Sequence, residues 1–108
     1  AHEQVKAELV SGMTGRQADE IARGIFREAG LDKFFTHSLG HGIGLQIHEY
    51  PALSPRGEEV LTDGMVFSDE PGLYFEGRYG IRIEDSVYLK DGKAVSFMRK
   101  LPRDLIIL

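Results

Sequence analysis

An α+β fold, with two helices followed by an antiparallel sheet, is what three features of this sequence predict. The first is a helical stripe, Ala18, Ile21, Ala22, Ile25, Phe26 and Ala29, at i, i+3, i+4 spacing. The second is a change of period: Ile81, Ile83, Val87 and Leu89 alternate with Arg82, Glu84, Ser86 and Tyr88, as on a half-buried strand. The third is Lys90-Asp91-Gly92-Lys93, a tight-turn sequence between two strand-like runs.

Each element can be justified in chain order. Val5 and Leu9 share one stripe of a short first helix that Gly12 can end. Thr14 and Gln17 form a capping box at the start of the second helix, and Gly30 stands where its C-terminal cap belongs. Met65 to Glu70 is a strand entered from the turn signal Asp63-Gly64. Ile81 to Leu89 reads as one strand, with Ile81 and Ile83 directed into the core. Ala94 to Met98 is the returning strand of the hairpin. Helices packed on one side of an antiparallel sheet complete the α+β layer. No internal repeat, low-complexity tract or linker interrupts the chain.

Size and composition limit what such a layer can do. The 108 residues make one small domain that buries about two thirds of its unfolded surface. Hydrophobic residues at 42% and charged residues at 28% suit a globular protein. A net charge of −4 with mixed signs argues against nucleic acid as a partner. No apolar run approaches the roughly 20 residues that span a bilayer, which argues against a membrane role. His2, Glu3, Lys6 and Glu8 leave no signal-peptide pattern at the start. With no cysteine, any metal must be held by His, Asp or Glu, and a cytoplasmic setting is expected.

Chemistry concentrates in three clusters. His37, His41 and His48 lie in a glycine-rich run with almost no other charge. Imidazole is both a common metal ligand and an acid or base near neutral pH. On an unbroken strand His41 and His48 would face opposite sides, so either the glycines bend the chain or the two serve different sites. The second cluster is Phe67-Ser68-Asp69-Glu70-Pro71-Gly72-Leu73-Tyr74, where Glu70 ends a strand and Pro71-Gly72 turns the chain. A carboxylate at a strand end has a fixed direction. The third is Gly80-Ile81-Arg82-Ile83-Glu84-Asp85, where Arg82 and Glu84 share a face as an ion pair. Of 13 glycines, Gly40, Gly42, Gly44, Gly72, Gly77 and Gly80 flank these clusters. Glycine allows close backbone approach there, although ordinary loop composition explains Gly77 as well.

Gly40-His41-Gly42-Ile43-Gly44 with His48-Glu49, then Asp69-Glu70-Pro71-Gly72-Leu73-Tyr74, then Gly80-Ile81-Arg82-Ile83-Glu84-Asp85, resembles the pita-bread metallopeptidases from Ala1 onward. The wording is most similar to the Xaa-Pro dipeptidase (prolidase) and Xaa-Pro aminopeptidase branch. The resemblance implies that His41, Glu70 and Glu84 are metal ligands, with Glu84 bridging two ions and Glu70 also a general base. It implies that His48 and His37 act on the substrate as catalytic histidines, and that Tyr74 and Arg82 line the substrate pocket. The implied cofactors are two divalent ions, Mn²⁺, Co²⁺ or Zn²⁺, an oxygen-rich set. Such ions lower the pKa of a shared water and polarise the carbonyl. The implied substrate is a peptide with proline at the second position, and the enzymes implied are homodimers.

One departure is expected to matter. The family's site also uses two upstream aspartates. Asp19 falls in a surface-patterned helix and Asp32 just after its cap, so neither fits that role. Residues 1–108 are therefore expected to be the C-terminal half of the catalytic domain, a fragment whose missing N-terminal half carries the aspartates. Alone it is expected to bind at most one ion weakly, to lack useful peptidase activity and to expose an apolar sheet face that favours self-association. Methionine aminopeptidases share the Gly-His-Gly-Ile-Gly signature, and metal-free creatinase-type amidinohydrolases share the fold. Those are the alternative readings, together with a non-catalytic binding domain and a one-metal hydrolase.

Overall fold

The computed structural model describes residues 1–102, 104, 106 and 107. Helix α1, His2–Glu8, buries Val5 and is closed by Leu9, whose N–H donates to the Val5 carbonyl at 2.9 Å. Helix α2, Gly15–Glu28, starts in the expected capping box: Gln17 N–H donates to Thr14 Oγ1 at 3.2 Å, and Thr14 N–H donates to Gln17 Oε1 at 2.8 Å. It buries Ala18 and Ala22 and ends at Gly30, whose φ of +70° favours glycine. A 3₁₀ turn, Asp32–Phe34, leads toward the sheet.

The strands in chain order are β1 (Gly40–Gly42), β2 (Glu49–Leu53), β3 (Val66–Asp69), β4 (Gly72–Phe75), β5 (Tyr79–Arg82), β6 (Asp85–Lys90) and β7 (Lys93–Ser96). Five form an antiparallel sheet in the order β2-β1-β3-β6-β7, while β4 and β5 pair separately. The sheet packs Leu53, Phe67, Val87 and Leu89 against Val5, Leu9, Ala18 and Ala22 of the helices. The β6–β7 hairpin turns at Asp91 (φ 51°) and Gly92 (φ 77°), both positive as its tight turn demands.

The expected α+β layering holds, but one strand does not. The run Ile81 to Leu89 is divided between β5 and β6, in different sheets. The break has a cause in the pattern itself: the in-phase position between Ile83 and Val87 is Asp85, a carboxylate where an apolar residue would continue the core. Ile81 and Ile83 accordingly lie outside the core, at 57% and 40% exposure. They flank an apolar cavity of about 150 Å³ with Phe26 and Leu73.

Asp85 pairs in register with Asp69 across β3 and β6, and both are buried with His2. His2 Nδ1 stands 2.7 Å from Asp69 Oδ2, and Nε2 stands 3.7 Å from Asp85 Oδ2. Asp85 also accepts from the Ser96 hydroxyl at 2.5 Å. Burial pushes the Asp69 carboxyl above its usual range, against the opposing pull of His2.

At the other end of the sheet, exposed Asp63 ties three segments together. It accepts from the Ser11 hydroxyl and from Gly92 N–H, the latter at 3.1 and 3.2 Å to its two oxygens. These bonds, Ser11 first, hold its carboxyl below the usual range. Because the folded value is lowered, the contribution is present above the unfolded value and is lost as pH falls through the folded one, below about pH 4. Asp63→Asn is therefore expected to flatten the fall of the urea midpoint between about pH 5 and 3. Equal slopes in the two proteins would remove Asp63 from the account.

Candidate metal centre

Strand β1 is three residues long and lies between β2 and β3 because its two glycines allow it. A Cβ on Gly40 would stand 1.8 Å from the Ser68 carbonyl oxygen, and one on Gly42 would stand 2.0 Å from that of Tyr50. Between them His41 faces a cleft. The register with β2 slips between His41, opposite Ala52, and Gly42, opposite Glu49, so Tyr50 and Pro51 are extra residues on that strand. The chain then bends through residues 43–48 and returns, bringing the His48 ring to 4.5 Å from the His41 ring. The odd spacing of the two histidines is thus resolved by the bend.

Glu70 follows β3 directly. Its N–H donates to the Leu39 carbonyl at 2.8 Å, which fixes the strand end against the residue preceding β1. The carboxylate is only 12% exposed, and its Oε1 lies 3.3 Å from His41 Nε2. Ser68, two residues back on the same face, links the two: His41 N–H donates to Ser68 Oγ at 3.0 Å, and the Ser68 hydroxyl donates to Glu70 Oε1 at 2.8 Å. The His41 Nδ1–H donates to the Gly42 carbonyl at 2.9 Å, which turns Nε2 toward Glu70.

That arrangement fits a divalent ion as a partial donor set. Two donors at about 2.1 Å from one ion stand roughly 3.0–3.4 Å apart in tetrahedral or octahedral geometry, which matches the His41–Glu70 separation. Glu84 stands apart from the pair. Its carboxylate is held by Arg82 Nη2 at 3.0 Å, and Arg82 Nη1 reaches Glu70 Oε2 at 3.7 Å. Both carboxylates, Glu84 first, raise the Arg82 pKa further. Among the described residues no group of three His, Asp or Glu side chains converges as a closed metal cage.

The cleft has a volume of about 440 Å³ and is lined by His37, His41, His48, Glu70 and Arg82 among others. Tyr74 stands behind it and donates its hydroxyl to His37 Nε2 at 2.9 Å, while His37 Nδ1–H donates to the Ser38 carbonyl at 2.7 Å. All seven expected residues are thus on or beside one cleft, although Glu84 and Tyr74 do not line it. Sequence reasoning missed Ser68, whose only signal was a hydroxyl two residues before Glu70 on the same strand face. It also misassigned Asp19, which is 1% exposed and bonded inside the fold rather than on the helix surface.

A two-stranded ribbon thus stands beside a five-stranded antiparallel sheet, with an imidazole and a carboxylate meeting at adjacent strand ends. The chain belongs to metallopeptidase family M24, whose profile matches residues 1–91. It is 47% identical over 97 residues to a probable dipeptidase PepE of Mycobacterium tuberculosis, covering 90% of this chain and 26% of that protein. It is 46% identical over 95 residues to a Xaa-Pro dipeptidase of Pyrococcus furiosus, covering 88% and 27%. The solved Xaa-Pro dipeptidase from Bacillus anthracis superposes with a TM-score of 0.93 at 41% identity, over 99% of this chain and 30% of that one. The pita-bread expectation for the fold therefore holds. The chain spans about a quarter of the length of the curated relatives it matches. Among the described residues no helix is long and apolar enough to cross a membrane.

Proposed function

We propose that this chain supplies one wall of the catalytic centre of a metal-dependent peptidase that hydrolyses the bond before proline, as the C-terminal half of its catalytic domain. The observation that carries this reading is the His41 Nε2–Glu70 Oε1 approach of 3.3 Å at the cleft, the separation of two donors on one ion. His41, Glu70 and, from its position across Arg82, Glu84 would hold two divalent ions, Mn²⁺ in this reading, together with donors from the rest of the domain. When bound, such ions supply an acidified water and a polarised carbonyl.

The chain's own groups do the rest. Glu70 takes the proton of the attacking water and returns it to the leaving nitrogen. An Xaa-Pro bond has no amide N–H, so recognition of that nitrogen by an acceptor is of no use. His37, His48 and Arg82 instead surround the cleft with groups for the substrate's oxygens. Tyr74, bonded to His37 Nε2 from behind the cleft, holds that ring in one orientation. Kinship with Xaa-Pro dipeptidases supports proline at the second position over methionine aminopeptidase or amidinohydrolase activity.

Titration calorimetry of Mn²⁺ into the metal-stripped chain tests the reading. One weakly bound ion per chain is expected. Two tightly bound ions would mean that this chain alone completes the centre, and no binding by folded chain would remove His41 and Glu70 as its core. In the complete catalytic domain, Ala-Pro is expected to be cleaved at least about tenfold faster than Met-Ala under the same conditions; the reverse order would overturn the substrate assignment.

A further inference from the structure

The carboxylate of Asp19 is buried on helix α2 and is met by Arg23 one turn later. Arg23 Nε donates to Asp19 Oδ2 at 2.7 Å and Nη2 donates to Oδ1 at 3.1 Å. Neither charge stops there. Arg23 Nη1 donates to the Phe35 carbonyl and Nη2 to the His37 carbonyl, both at 3.1 Å, while Asp19 Oδ1 accepts the Leu39 N–H at 2.9 Å. The guanidinium also lies 4.4 Å over the Phe35 ring. Residues 35, 37 and 39 thus direct alternate backbone groups at one ion pair. A side-chain fork takes the place of a neighbouring strand along the segment that enters β1.

That segment carries the site. His37 stands in its middle, with its ring 5.2 Å from Phe35 and its Nε2 bonded to Tyr74. Leu39 receives the clamp through its N–H and passes it on through its carbonyl, which accepts the Glu70 N–H at 2.8 Å. We infer that Asp19 and Arg23 are positioning residues for the cleft: Arg23 sets His37 through two carbonyls, and Asp19 sets the start of the Glu70 turn through Leu39. A buried ion pair that served stability alone would be replaceable by packing groups and would leave the cleft as it was. This pair instead uses its remaining donor and acceptor capacity on three backbone groups, each within two residues of His37.

The inference rests on the cleft being the site, but its test needs neither ion nor substrate. Histidine-ring ¹H–¹⁵N spectra and amide exchange are measured on the full chain, with folding monitored by circular dichroism. In Arg23→Lys, which keeps the charge but loses the fork, the His37 ring signals are expected to move from the single Nδ1–H tautomer toward a mixed average. The His41 ring signals should stay in place. In Asp19→Ala the Glu70 amide is expected to exchange at least about tenfold faster, with the Val87 and Leu89 amides unchanged. Asp19→Asn keeps an oxygen for Leu39 N–H and should restore most of the Glu70 protection. Folded Arg23→Lys with unmoved His37 signals, or Asp19→Asn as exposed at Glu70 as Asp19→Ala, overturns the inference. Should Arg23→Lys not fold, the Asn and Ala pair at Asp19 decides alone. Failure of Mn²⁺ to bind the wild-type chain counts against the proposed function and leaves these readouts intact.

Discussion

Gly40→Ala is expected to lower stability by at least about 3 kcal/mol, near or beyond the upper end for overpacking substitutions. The added methyl would stand 1.8 Å from the Ser68 carbonyl oxygen and 2.7 Å from its carbon. Both are backbone atoms of β3, so no rotamer change can relieve the contact. Strand β1 cannot retreat either, because β2 pairs on its other edge and the Leu39 carbonyl is committed to Glu70 N–H. Separating β1 from β3 would also break the His41 N–H to Ser68 bond of 3.0 Å. With a total of only about 5–15 kcal/mol available to a native domain, a loss of this size brings the chain close to its unfolding threshold. Gly24→Ala provides the opposite sign. Gly24 lies within α2, and a Cβ there meets only a Glu20 side-chain oxygen at 3.9 Å. Relief of backbone entropy should raise stability by about 0.5–1 kcal/mol. Urea midpoints of the three proteins check both signs. A Gly40→Ala midpoint equal to wild type would show that β1 and β3 are not held as close as described.

Helix α2 was legible because a capping box, an apolar stripe and a terminal glycine all point to the same boundaries, whereas α1, read from Val5 and Leu9 alone, ends at Glu8, four residues before Gly12. The β6–β7 hairpin was legible for a similar reason, since Asp91-Gly92 requires positive φ whatever surrounds it. Strand β1 carried no such signal. Gly-His-Gly has little strand propensity, and its extended form is imposed by β2 and β3 from either side. The division between β5 and β6 was present in the pattern as Asp85. Reading it would have required knowing that His2, 83 residues earlier, is buried beside it with Nε2 3.7 Å from Asp85 Oδ2. The site residues could be named because three histidines and two glutamates fall in three short motifs whose order resembles a known family. Their supports could not: Asp19 and Arg23 look like an ordinary exposed helix pair until the backbone they grip is placed.

Glu70→Gln is expected to remove the ion from this chain, and in the complete catalytic domain to reduce kcat by about 10²–10⁴-fold. The substitution changes little but charge. Gln is nearly isosteric, its Oε1 can still accept from Ser68, and the backbone bond to Leu39 remains, so the urea midpoint should stay near that of wild type. What is lost is the anionic partner 3.3 Å from His41 Nε2 and, with it, the acceptor for the proton of the attacking water. Two further variants separate the carboxylate's own role from that of its surroundings. Ser68→Ala removes the hydroxyl that orients Glu70 and should weaken Mn²⁺ binding about 10–100-fold, the range for groups that orient a ligand. Glu84→Gln should leave Mn²⁺ binding to the chain alone within about tenfold of wild type, because Arg82 already occupies its carboxylate at 3.0 Å and no closed three-ligand cage forms among the described residues. Calorimetric titration of the four proteins orders these effects. Were Glu84→Gln to abolish binding while Glu70→Gln kept it, the ion's first position would lie across Arg82 rather than at His41, and Glu70 would keep only its place beside the water.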